Sequence, residues 1–176
     1  MALWVFGYGS LLWNPGFTPA RSVRARLHGY HRSFCMLSIH HRGTVEDPGL
    51  VLALDRRDGG QCTGVAFEVA ENEEDAVLQM LRDRELISSA YYEDTVDLVC
   101  DAGRPIRALA YIINAGHEQY CQFDLERQAQ MIAFAVGGRG PNTEYLYNTA
   151  DHLRQLAIKD PDMDWLVARV RALTAT

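Results

Sequence analysis

The sequence predicts an α+β fold: a curved, mostly antiparallel sheet or small β-barrel with flanking helices. The first two-thirds of the 176 residues carry a succession of runs rich in branched and aromatic residues, each bounded by turn residues. Segments of helical period gather behind them, without regular strand–helix alternation. Apolar residues make up 48% of the chain, enough for a substantial core in a chain the size of one ordinary domain, and residues 1–176 are read as a single domain.

The first run, Val5-Phe6, breaks at Gly7-Tyr8-Gly9-Ser10-Leu11-Leu12-Trp13 into a glycine-flanked turn. Gly7 and Gly9 reach dihedrals closed to other residues, so N–H groups between Tyr8 and Leu12 converge into a concave nest for a carboxylate or oxyanion. In the alternative, the two glycines only let a strand bend or bulge at a barrel edge. A dinucleotide fingerprint needs a third glycine where Leu12 stands, and a nucleophile elbow needs glycines where Tyr8 and Leu12 stand. Ser10 is therefore a poor nucleophile candidate.

Further strands follow at Val23–Tyr30, Phe34–Ile39, Leu50–Leu54, Thr63–Val69, Thr95–Val99 and Ile106–Ile113. Asp55–Gly60, with Arg-Arg-Asp-Gly-Gly at its centre, reads as a hairpin turn, as does Asp101-Ala102-Gly103. Consecutive hairpins favour an antiparallel meander or barrel. Asn72 caps a first helix, with Glu73, Glu74 and Asp75 in its first turn, that runs to about Ile87. Two more span Leu125–Val136 and Asn142–Leu156, separated by Gly137-Gly138-Arg139-Gly140-Pro141, and a short one covers Met163–Leu173.

A net charge of −6 argues against nucleic acid or an anionic membrane as partner. No segment approaches membrane-spanning length, and Met1–Phe6 lacks the basic and apolar regions of a signal peptide. These features place the chain in the cytoplasm, and the lack of an obvious exposed apolar helix is compatible with a monomer. Cys35, Cys62, Cys100 and Cys121 are widely spread with no C-x-x-C pair, which fits reduced thiols. His28 and His31, or His40 and His41, have no acidic or cysteine partner at a recognised ligand spacing, so no metal is expected.

On the first helix, Leu78, Leu81 and Glu85 share one stripe. A carboxyl carried toward the core loses solvation, and its pKa rises toward the range useful for proton transfer at neutral pH. An equal alternative pairs Glu85 with Arg82 or Arg84, or leaves it exposed where the helix ends, and spacing does not separate these readings. Glu71, Glu73, Glu74 and Asp83 read as a solvated face and cap.

Several blocks together resemble the ChaC-like γ-glutamylcyclotransferases in order and spacing: Val5 to Pro15, Gly29-Tyr30-His31-Arg32, Arg42-Gly43-Thr44, Pro48-Gly49 and Thr63-Gly64-Val65-Ala66. Arg84-Glu85 followed by Tyr91, and Gly140-Pro141-Asn142 followed by Glu144-Tyr145-Leu146, look like the family's later blocks. The resemblance covers nearly the whole chain. It implies a barrel-like fold with flanking helices that cleaves glutathione to 5-oxoproline and cysteinylglycine without metal or organic cofactor. By similarity, Gly7, Tyr8, Gly9, Ser10, Leu11 and Leu12 bind the γ-glutamyl group and Glu85 is the catalytic acid/base. Tyr91 enters as a binding candidate, and Tyr145 as a binding candidate or a core-packing residue. After Glu85, Leu86-Ile87-Ser88-Ser89-Ala90 replaces a stretch that commonly carries glycines in the family.

The implied reaction needs no enzymic nucleophile, because the substrate's α-amine attacks its own γ-carbonyl. Arg42 has the chemistry to hold a carboxylate, but a surface or sheet-bracing role fits it better, and it stays outside the site. The alternatives are a cyclotransferase for other γ-glutamyl amino acids or amines, and a non-catalytic binding or regulatory protein.

Overall fold

Alternate residues of two strands build the interior of a barrel. In β4 (Tyr91–Cys100) the side chains of Val96, Leu98 and Cys100 are buried; in β5 (Pro105–Ile113) those of Ala108, Ala110 and Ile112 are. These two strands pair antiparallel from Tyr91↔Ile113 to Val99↔Pro105, across the turn at Asp101–Arg104, where Gly103 takes φ +81°. Phe6, Tyr8, Ala25, Leu27, Leu54, Cys62 and Ala66 complete the same buried cluster. They come from β1 (Trp4–Gly7) and the residue after it, β2 (Arg21–Ser38) and β3 (Gly49–Glu68).

The computed structural model describes residues 2–86 and 89–175. Within them the strands close in the order β1-β3-β2-β4-β5. β1 runs antiparallel to β3, with Gly7 opposite Val65, whereas β5 runs parallel both to β1, at Val5↔Leu109, and to β3, at Leu54↔Ile112. Of the meander or barrel expected from consecutive hairpins, the barrel forms, and it is mixed rather than wholly antiparallel. The chain forms two compact units, Met1–Ser33 with Ala53–Glu118, and Phe34–Leu52 with Gln119–Thr176, so β2 and β3 each contribute to both.

The expected strands Val23–Tyr30 and Phe34–Ile39 are one strand, β2, and Leu50–Leu54 and Thr63–Val69 are likewise one, β3. Asp55–Gly60 is therefore not a turn. Its turn-rich composition yields to pairing with β2, and Arg56 stacks over the Tyr30 ring at 5.6 Å.

α1 (Glu74–Glu85) follows a short 3₁₀ turn at Glu71–Glu73, so Asn72 lies within that turn rather than capping the helix. Val77 and Leu81 are buried with Val5, Leu11, Val69 and Tyr111. Burying side chains of this size contributes roughly 1.5–3 kcal/mol each, which holds a helix of only three turns in place. The helix ends at Glu85 with Leu86 as its cap; Ile87, where the sequence placed the end, lies outside the described residues.

In the second unit, α2 (Leu125–Phe134) starts at Asp124, whose carboxylate accepts the Arg127 N–H. α3 (Asn142–Gln155) follows the two-residue strands β6 (Val136–Gly137) and β7 (Gly140–Pro141). α4 (Pro161–Thr174) is capped by Asp160 with proline at its start. Phe34, Leu50, Ile132, Leu146 and Leu166 are fully buried in this unit. No helix among the described residues is long and apolar enough to cross a membrane. All four cysteines are buried thiols outside any disulfide.

Candidate active site

The turn after β1 is a single 3₁₀ turn, Ser10–Leu12, entered through Gly9. Its own hydrogen bonds begin at Leu12, whose N–H donates to the Gly9 carbonyl at 2.9 Å, and continue with Trp13 and Asn14 donating to the Ser10 carbonyl. Leu12's N–H is thus spent inside the turn, which narrows the expected nest to residues before it. The turn does not use the N–H groups of Gly9, Ser10 and Leu11. The side chains of Tyr8, Leu11 and Leu12 are buried, so these three residues offer backbone rather than side chain.

Arg32 of β2 grips the turn from behind, donating to the Tyr8 carbonyl at 2.8 Å and to the Thr63 carbonyl at 3.0 Å. All peptide bonds described are trans, so a fixed Tyr8 carbonyl turns the Gly9 N–H the opposite way. Neither Gly7 nor Gly9 has a positive φ, but Gly9, at φ −134°, ψ −119°, lies outside the α and β regions that other residues occupy. Gly7 is there for space, as a Cβ would lie 2.7 Å from the Phe67 ring and 3.3 Å from the Leu11 Cβ.

Glu85, the last residue of α1, has a side chain 17% exposed, and its Oε1 lies 3.4 Å from the Nε of Arg84. Both sequence readings hold in part, because the carboxylate is withdrawn from solvent and also paired. Arg84 reaches on to the turn, donating from Nη1 to the Asn14 carbonyl at 2.6 Å and from Nη2 to the Ser10 hydroxyl at 3.2 Å. One guanidinium therefore separates the Glu85 carboxylate from the glycine-flanked turn.

Beside it lies a polar network that the sequence did not reveal. Glu93 of β4 and Tyr111 of β5 are cross-strand partners, and the Tyr111 hydroxyl donates to Glu93 Oε1 at 3.0 Å. Arg82 clamps the same carboxylate at 3.0 and 2.9 Å. The Arg82 hydrogen bonds hold the Glu93 carboxyl below the ordinary carboxylate range. Burial first, then the hydrogen bond to Glu93 and the charges of Glu93 and Glu85, keep the Tyr111 phenol protonated well above its usual value. Tyr111's carbonyl accepts the Tyr8 hydroxyl at 2.8 Å.

Tyr91 begins β4 and packs on the cluster that contains Leu11, Leu81 and Tyr111, beside the turn. Tyr145 belongs to the second unit, where it is buried, meets Phe34 edge-on at 6.0 Å and accepts the Leu52 N–H at its hydroxyl. Arg42 is also buried there, braced by the Pro141 carbonyl, Glu144 and the Tyr145 ring. The described residues hold no group of three or more His, Cys, Asp or Glu side chains suited to a metal ion.

The arrangement offers one carboxyl for proton transfer and a turn of backbone donors for an anion. A family profile described as ChaC-like protein matches residues 3–173. The glutathione-specific gamma-glutamylcyclotransferase of Escherichia coli (strain K12) is 37% identical over 175 residues, covering 98% of this chain and 74% of that protein. The glutathione-specific gamma-glutamylcyclotransferase 1 of Danio rerio is 36% identical over 166 residues, covering 93% of this chain and 83% of that one. A crystal structure of a γ-glutamyl cyclotransferase specific to glutathione from yeast has the same fold, with a TM-score of 0.89 at 23% identity over 99% of this chain and 97% of that one. With the profile match spanning nearly all of the sequence and these identities alongside it, the chain belongs to the ChaC-like family.

Proposed function

We propose that this chain is a γ-glutamylcyclotransferase acting on glutathione, with residues 1–176 as one catalytic domain, Glu85 as its acid/base and the Gly7–Leu12 segment as its γ-glutamyl site. The observation that carries the reading is the half-withdrawn Glu85 carboxylate one guanidinium away from a turn of backbone N–H groups. Membership of the family and the names of the relatives point to the same chemistry.

Glu85 takes a proton from the substrate's α-ammonium, and the freed amine attacks the γ-carbonyl. A carbon–nitrogen bond forms, closing the five-membered lactam. The attacking nitrogen gives up a second proton as the tetrahedral intermediate collapses; the bond to the cysteinyl nitrogen breaks, and that nitrogen takes up both protons by way of Glu85, releasing 5-oxoproline, and cysteinylglycine in its ammonium form. No enzymic nucleophile, metal or organic cofactor enters these steps. The substrate's own tether already makes the attack intramolecular, and the site contributes by holding amine and carbonyl in the attacking geometry. The N–H groups of Gly9, Ser10 and Leu11 hold the α-carboxylate or the developing oxyanion, with Gly7 and Leu12 framing the turn and the Tyr8 carbonyl anchored on Arg32. Tyr91 flanks the bound γ-glutamyl chain. Tyr145 stays a core residue of the second unit, bracing β3 through Leu52.

The substrate is a small anionic peptide, not nucleic acid or a membrane. Four buried, reduced thiols suit a cytoplasmic protein, and we read the working form as the monomer.

The test is release of 5-oxoproline and cysteinylglycine from glutathione, read by mass, beside γ-glutamyl-alanine. Wild type yields both products in equal amounts and spares the dipeptide. Glu85→Gln retains the far-UV spectrum and loses turnover by about 10²–10⁴-fold or more, the usual contribution of a positioned base. Glu85→Asp keeps a trace. Near-normal turnover in Glu85→Gln removes Glu85 from the reaction, and cyclisation of the dipeptide alone reassigns the substrate.

A further inference from the structure

On the cyclotransferase reading above, we propose that Arg84 is a positioning residue whose guanidinium fixes the spacing between the Glu85 carboxylate and the substrate-binding turn. Each of its three nitrogens has a different partner: Nη1 on the Asn14 carbonyl, Nη2 on the Ser10 hydroxyl and Nε on Glu85. The side chain is only 18% exposed, so these contacts are little weakened by water.

A second contact supports the same docking. Gly16, at φ +82°, lies against Met80, where a Cβ would come within 3.0 Å of the methionine's terminal methyl and 3.7 Å of Arg84 Nη1. Met80 and Arg84 are four residues apart and share a face of α1. The segment from Ser10 to Gly16 is therefore seated on the last turn of the helix that ends in Glu85. Arg82, the neighbouring arginine, turns instead to Glu93 on β4.

A guanidinium is planar and its donors stand at fixed angles, so it holds three partners in one geometry, which a lysine ammonium on a flexible stem does not reproduce. The turn keeps its own 3₁₀ bonds and the Arg32 anchor without Arg84, so substrate affinity survives its loss. The reach of Glu85 to the substrate amine does not, and a displacement of about 1 Å costs about 10²-fold in rate.

The experiment measures kcat and KM for 5-oxoproline release, with thermal midpoints, for wild type, Arg84→Gln, Arg84→Lys, Ser10→Ala and the Arg84→Lys/Ser10→Ala double variant. Arg84→Gln lowers kcat about 10²-fold with KM within about threefold, and Arg84→Lys falls between it and wild type. The Lys and Ala changes combine less than additively, because they interrupt the same contact. A purely structural role instead lowers the thermal midpoint and leaves kcat per folded molecule unchanged. If Arg84→Gln does not fold, the Lys and Ala variants carry the test. An active wild type with Arg84→Lys and Ser10→Ala unchanged in kcat, or strictly additive, overturns the positioning role alone. A wild type that releases no 5-oxoproline overturns the cyclotransferase reading and the positioning role with it.

Discussion

Glu93 is held by two different donors, the forked guanidinium of Arg82 and the phenol of Tyr111. Arg82 lowers its proton affinity in the folded state, so the unfolded chain binds more protons at this carboxyl and stability rises with pH. Its contribution is complete above the ordinary carboxylate value of about 4.3 and fades as pH falls through the lower folded value. Thermal midpoints of Glu93→Gln measured from about pH 6 down to pH 3 therefore fall less steeply than those of wild type, and parallel curves refute the assignment. Nothing in the sequence pointed to this cluster. Glu93 and Tyr111 sit at alternate positions of ordinary strands, and only the register that sets them opposite each other makes a site. Helical spacing put Glu85 on a stripe with leucines but did not say whether it is withdrawn or paired; the structure shows both, with Arg84 as the partner.

The glycines of the family's blocks act at the level of elements. At Gly64 a Cβ would collide with the Gly7 carbonyl oxygen and crowd the Phe6 ring, where β1 and β3 are paired. Gly64→Ala is expected to cost about 1–3 kcal/mol, the usual range for overpacking, seen as a lower urea midpoint. An unchanged midpoint shows that the strands separate freely. In the second unit, Asn142 at the start of α3 imitates a strand, accepting the Leu50 N–H at 2.8 Å and donating to the Leu50 carbonyl at 2.9 Å. Asn142→Ala leaves both groups buried without that partner and costs about 1–3 kcal/mol for each group left unsatisfied. Helices α2, α3 and α4 were readable to within two residues at most ends, because acidic caps, a proline and a glycine-rich break mark them locally. Asp55–Gly60 was not, since its residues have turn chemistry while the partner strand β2, distant in sequence, decides their conformation.

For the molecule as a whole, the fold class was legible from the succession of strand-like and helix-like segments, whereas strand order was not. The two parallel seams join residues far apart in sequence, Val5 with Leu109 and Leu54 with Ile112, and periodicity carries no information about partners at that distance. The same seams set an order in time. Contacts among α2, α3 and α4 all fall within residues 125–174, a shorter sequence separation that favours faster formation, whereas β1 has no complete pairing until the strand containing Leu109, over a hundred residues away, is in place. In pulse-labelled hydrogen exchange during refolding, the helical amides of residues 125–155 gain protection before those of Val5 and Phe6, and simultaneous protection contradicts this order. The turn that follows β1 then matures last, so a newly refolded population acquires its spectrum before its turnover, and the interval between the two measures how long the barrel takes to close.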